Sequence, residues 1–128
     1  MNRNALLLGA GLGMLSVMIG AFGAHGLKDI LIANERVEVF ETAVKYQFYH
    51  AFALLIAGIL AGNLQGQWMK KAVYCFSIGV FIFSGSLYIL SLTNIGWLGA
   101  ITPIGGIFLI GGWVSLLIGV YKQKESEL

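Results

Sequence analysis

Hydrophobic residues in this chain come in long blocks. Between Arg3 and Lys28, 24 residues pass without Asp, Glu, Lys or Arg, another 24 between Lys45 and Lys70, and 50 between Lys71 and Lys122. A bilayer core of roughly 30 Å takes about 20 residues of helix, so the blocks hold one, one and two spans. The pattern predicts four transmembrane helices, over about 5–23, 35–62, 71–93 and 102–121, and one membrane domain over residues 1–128. The fold class is all-α, an integral membrane four-helix bundle. In the first span, a basic start and small residues at Gly20, Ala21, Gly23 and Ala24 imitate a secretory signal peptide. Its apolar run exceeds the roughly 7–15 residues of such a segment, and the rest of the chain is membranous too, so a span is preferred. Gly9 and Gly13 form a GxxxG pair suited to close helix packing.

The interruptions are equally readable. Gly23 to Asn34, GAHGLKDILIAN, sets Leu27, Ile30 and Leu31 at helical spacing beside Lys28 and Asp29. That predicts a short interfacial helix between the first two spans. Asn34 is placed to cap the second span, with Glu35 and Glu38 at the positive end of its dipole. Gly62 to Trp68 reads as a polar turn, and the tail KQKESEL as a disordered end. Thr93 to Pro103 breaks the longest block, with Thr102 and Pro103 as N-cap and first residue of the fourth span.

Polar residues inside the apolar blocks are the candidates for function. The stretch ETAVKYQFYH, Glu41 to His50, runs straight into apolar sequence. Counting back about 20 residues from the far end of this span puts Lys45 about 5 Å and His50 about 12 Å inside the hydrocarbon. Glu38, Glu41, Lys45, Tyr49 and Phe52 share one narrow sector at helical spacing, and Tyr46 and His50 follow on the same half. Lys45 can snorkel toward Glu41 and the headgroups, whereas His50 is too short to escape and calls for a buried partner. In the third span, FSGSLY puts Ser84, Ser86 and Tyr88 about 6 to 12 Å below its end, matching the depth of His50. His25 and Thr102 lie at span ends on the same side. Together, His25, Glu38, Glu41, Lys45, Tyr46, Tyr49, His50, Ser84, Ser86, Tyr88 and Thr102 form one predicted layer of pocket or structural polar groups.

Composition narrows the classes. The chain is 58% hydrophobic and 11% charged, against about 25% charged in a soluble domain, so no soluble domain is left over. A net charge of +2 without a basic run gives no nucleic-acid surface. Cys75 is the only cysteine, which excludes an internal disulfide and a multi-cysteine metal site. Arg3, Lys70, Lys71, Lys122 and Lys124 fall on one side of the membrane, against Lys28, Arg36 and Lys45 on the other. The positive-inside rule then predicts a cell (inner) membrane protein with both termini cytoplasmic and the polar layer in the outer half.

Four ordered motifs carry a resemblance. GAFGAHGL at Gly20 to Leu27, ETAVKYQFYHA at Glu41 to Ala51, FSGSLY at Phe83 to Tyr88 and ITPIGG at Ile101 to Gly106 resemble the signature segments of the domain of unknown function 423 family. These are small bacterial membrane proteins similar to the eukaryotic transmembrane protein 256. The resemblance covers nearly the whole chain. It implies a multi-pass membrane location and carries no assigned activity, substrate, cofactor or catalytic residue.

Two functional readings stand. The first is small-molecule or ion transport through an outward-facing pocket lined by Glu41, Lys45, Tyr49, His50, Ser84 and Ser86, with His50 titrating. The alternative is a non-transporting scaffold or an accessory subunit of a larger complex. Its internal pairs would be Glu41 with Lys45, and His50 with Ser84 or Ser86. An enzyme is not expected: a Glu and a His can exchange protons, but no nucleophile motif accompanies them. No HxxxH or HxxE spacing is present, so no metal or other cofactor is expected. The expected partners are the lipid bilayer and either further copies of the chain or a larger membrane complex, with no nucleic acid.

Overall fold

The apolar blocks fold as four helices long enough to cross a bilayer, and a short helix joins the first two. The computed structural model describes residues 1–62 and 67–123. In order these form α1 (Arg3–His25), α2 (Lys28–Ala33), α3 (Val37–Leu60), α4 (Trp68–Thr93), a 3-10 turn (Gly96–Ala100) and α5 (Thr102–Lys122). The chain is an all-α membrane four-helix bundle. Most of the polar turn expected over 62–68, and the tail beyond Gln123, lie outside the described residues.

Helix ends follow local chemistry. The α1 helix starts early because the Asn2 side chain accepts a hydrogen bond from the Ala5 N–H at 3.1 Å. Asn34 does not cap α3. Glu35 takes a left-handed conformation at φ 56°, which delays α3 to Val37. Asn34 instead closes α2, its N–H donating to the Ile30 carbonyl at 2.9 Å. Its side-chain amide donates to the Ser91 and Leu92 carbonyls at 3.0 and 3.3 Å. Asn94, left-handed at φ 57°, ends α4, and its side-chain oxygen accepts from Arg36 Nε at 3.0 Å. These two asparagines tie the α2–α3 corner to the end of α4. Thr102 is likewise no cap: the 3-10 turn runs on through Ile101 in helical conformation, so Pro103 falls at the second position of α5.

The helices pack in the sequence α1 on α3, α3 on α4, and α4 on α5. This makes α3 and α4 the central, more buried pair. Leu12, Leu54, Phe76 and Leu109 draw the four spans into one core, and Ala43, Leu87, Leu90 and Leu98 form a second core toward the α2 end. Lipid offers no hydrophobic drive for helix association, so close approach has to come from small residues. At the α4–α5 seam a Cβ on Gly105 would run into the Phe83 backbone, 2.8 Å from its Cα. The GxxxG pair of α1 divides its work. A Cβ on Gly9 would sit 2.9 Å from the Ala51 carbonyl, whereas one on Gly13 would meet only the Ala51 side chain at 3.9 Å.

The Asn2 N–H donates to the Gly58 carbonyl at 2.8 Å, holding the start of α1 against the end of α3. At the same end, Lys71 and Lys122 rest over the Trp68 ring at 4.4 and 5.2 Å. The opposite end carries α2, Arg36 and the 3-10 turn.

Candidate functional site

Helix α3 presents two faces. Glu38, Glu41, Lys45, Tyr49 and Phe52 all lie exposed, while Phe40, Ala43, Gln47, His50 and Leu54 turn into the bundle. The narrow sector read from helical spacing is therefore real as a stripe, and it points outward. The expected layer divides accordingly into a sealed interior and an open cavity.

The interior is a chain of hydrogen bonds between helices. The Tyr88 hydroxyl donates to Gln47 Oε1 at 2.5 Å, and Gln47 Nε2 donates to the Leu12 carbonyl at 3.0 Å. That links α4, α3 and α1. Ser84 donates to the Ala43 carbonyl at 2.7 Å. Ser86 and Thr102 share a hydroxyl–hydroxyl bond of 2.6 Å that joins α4 to α5. Among the described residues no buried side-chain nitrogen or oxygen lacks a hydrogen-bond partner. An unpartnered polar group in a low-dielectric interior is expensive, so full pairing is what a stable closed layer requires.

His50, only 4% exposed, pairs with neither serine. Antiparallel α3 and α4 set Ser84 opposite Ala43, seven residues or about 10 Å along the helix from His50. Counting depth separately from each helix end does not capture this register. Opposite His50 stand Phe76, at 5.7 Å between ring centroids, and Trp113. Trp113 Nε1 donates to His50 Nε2 at 3.1 Å, and His50 Nδ1 lies 2.7 Å from the Tyr46 carbonyl. The indole can only donate and the carbonyl can only accept. Both bonds hold together only for a neutral imidazole carrying its proton on Nδ1. His50 thus has both ring nitrogens engaged. Tyr46 roofs this arrangement, stacked on Phe83 with centroids 4.6 Å apart.

The second region is a cavity of about 400 Å³ between α1, α2 and α3, lined in part by Lys28, Leu31, Phe40, Glu41, Val44 and Lys45. Glu41 and Lys45 keep their i, i+4 spacing without forming an ion pair, and among the described residues neither they nor Lys28 has an ion-pair partner. His50, Ser84 and Ser86 do not line this cavity. His25 ends α1, exposed, where a basic group suits the helix dipole. Glu38 is exposed in the first turn of α3. Tyr49, 54% exposed, faces outward.

Sequence reasoning passed over Gln47, Trp113 and Lys28. Gln47 sits with Ala43, His50 and Leu54 on a stripe of core positions, and that helical spacing was the available signal. Trp113 stands eleven residues beyond the start of α5 at Thr102, away from the interfacial position usual for Trp. Only the tertiary register reveals its partner. Among the described residues no three His, Cys, Asp or Glu side chains gather as a metal site.

The family model described as protein of unknown function (DUF423) matches residues 19–106. A UPF0382 membrane protein of Staphylococcus haemolyticus is 48% identical over 119 residues, covering 91% of this chain and 94% of the relative. Another from Staphylococcus saprophyticus is 46% identical over 119 residues, with 91% and 96% covered. The UPF0382 membrane protein YwdK of Bacillus subtilis is 42% identical over 118 residues, with 91% and 95% covered. No solved structure matches the chain.

Proposed function

The chain belongs to the DUF423 family of uncharacterised membrane proteins, and from that premise we propose that it is a non-transporting, non-enzymatic membrane scaffold or accessory subunit. The observation that carries this reading is the pairing of His50. A transporting or titrating histidine needs a free ring nitrogen and a route to water, and here Trp113 and the Tyr46 carbonyl occupy both nitrogens. The other interior polar groups lock helices pairwise, as a scaffold needs. The transport reading drew its pocket through Glu41, Lys45, Tyr49, His50 and the two serines, and of these only Glu41 and Lys45 line the cavity.

We place the chain in the cell membrane with both termini cytoplasmic. This rests on the cationic end that carries Arg3, Lys70, Lys71 and Lys122. Its apolar outer surface, which includes Leu7, Val17, Ile107 and Leu117, is available to lipid, to further copies or to a larger membrane complex.

Proteoliposomes test the reading. Wild type and His50→Ala should both show the ion and solute flux of empty vesicles, and mild-detergent extraction should bring down a larger assembly. Wild-type flux above the empty-vesicle level that His50→Ala abolishes would restore the transport reading. Extraction of the chain alone, as a monomer, would remove the accessory role.

A further inference from the structure

The 400 Å³ cavity does not stand alone on the α1–α3 seam. Directly below it a second groove of about 280 Å³ runs along α1 and α3, lined by Gly13, Val17, Phe48 and Phe52 among others, almost wholly apolar. Gly13, Val17 and Gly20 follow one another at helical spacing on α1, as Glu41, Lys45, Phe48 and Phe52 do on α3. Such spacing keeps residues on one face, so the cavity and the groove, which share no lining residue, follow one another along the same seam as one track of sites. From Lys45 to Leu55 the track covers ten residues, about 15 Å, or half of a roughly 30 Å hydrocarbon core. That is the depth of one acyl chain in one leaflet.

The head of the track carries two ammonium groups, Lys28 and Lys45, and one carboxylate, Glu41. Among the described residues none of the three has a hydrogen bond, ion pair or ring partner. At the other end of the molecule Lys71 and Lys122 are settled over Trp68, whereas Lys70 has no partner among the described residues. A partly enclosed site with one positive charge in excess and an apolar channel beneath it matches an amphiphile with a singly negative head.

We propose that this track is a binding site for an anionic glycerophospholipid. Lys28 and Lys45 hold the phosphodiester, Glu41 accepts a hydrogen bond from a headgroup hydroxyl, and one acyl chain lies between Gly13 and Phe52. The continuous apolar groove selects a lipid over free phosphate, which has no use for it. The site lies on the exposed face of α3 and does not depend on the sealed interior, so it survives or fails independently of the scaffold reading.

Native mass spectrometry of the full chain in detergent, with phosphatidylglycerol, phosphatidylcholine or inorganic phosphate added, tests the proposal. Wild type should retain one phosphatidylglycerol with about tenfold preference over phosphatidylcholine, which has no headgroup donor for Glu41. The double variant Lys28→Gln with Lys45→Gln should lose about tenfold in affinity, and the matching Arg pair should restore it. Gly13→Leu leaves the charges alone and should also weaken binding by filling the groove. Millimolar inorganic phosphate should leave the bound lipid in place. Melting temperatures within a few degrees of wild type show that the lysine variants are folded, since neither lysine has a partner to lose among the described residues. The proposal is overturned by equal retention of the two lipids, by unchanged binding in the Gln pair, by displacement with phosphate, or by a second copy of the chain in the groove that excludes lipid.

Discussion

Glu41 and Ala43 are two residues apart on α3 and face opposite worlds. Glu41 lines an open, charged cavity with no partner among the described residues, while Ala43 is fully buried and its carbonyl accepts the Ser84 hydroxyl. The same contrast recurs one turn on, with Lys45 against Gln47. It shows that polarity within a membrane helix has two separate uses. Groups with an intramolecular partner hold helices together, and groups without one are left for something outside the chain. Burial depth does not distinguish these uses, because Lys45 and Gln47 lie at nearly the same level.

Substitutions at the two kinds of position should diverge in size. The largest effect is expected at Gly105. An alanine there forces α5 off the backbone of Phe83 and should cost about 3 kcal/mol, the upper part of the overpacking range. Gly13→Ala on the open seam should stay within about 0.5 kcal/mol. Melting curves in one detergent compare the two directly. Next is Gln47→Leu, which leaves the Tyr88 hydroxyl unpartnered and should cost about 2 kcal/mol. Adding Tyr88→Phe should return most of that loss, a coupling that a double-mutant cycle measures. Trp113→Phe removes the bond to His50 and trims a ring packed edge-on against Phe76; the lost bond itself should cost about 0.6 to 1.7 kcal/mol, the range for hydrogen bonds between membrane helices. Smallest is Lys45→Gln, within about 0.5 kcal/mol of wild type in the same assay. A large loss there would mean that the cavity has internal pairing and would erase the contrast.

The four spans, the short helix between the first two and the grouping of Glu38, Glu41, Lys45, Tyr49 and Phe52 on one stripe of α3 were legible because each depends on residues near in sequence. The stripe's outward direction, away from His50, was not. Block length sets the spans, and 100° steps set the stripe. What could not be read was which polar group meets which. Ser84 and Ser86 look like partners of His50 when depth is counted along each helix alone. The antiparallel register gives Ser84 to Ala43 and Ser86 to Thr102, and brings Trp113 from α5 to His50. The Asn34 cap was misread for a related reason. A left-handed Glu35 and acceptors 57 and 58 residues away, the Ser91 and Leu92 carbonyls, decide its role. Neither leaves a mark in the local pattern.

The chain contains two histidines, and they fall one on each side of this comparison: His25 is exposed at the end of α1, and His50 is 4% exposed. Water-edited nitrogen-15 solid-state NMR of the protein in lipid bilayers reads both in one spectrum. The predicted result is rapid transfer of water magnetisation to the His25 ring and slow transfer to His50. The His50 signal should be that of a neutral imidazole with its proton on Nδ1 and a hydrogen-bonded Nε2. Equally rapid transfer to both rings, or a His50 with its proton on Nε2, would contradict the sealed interior.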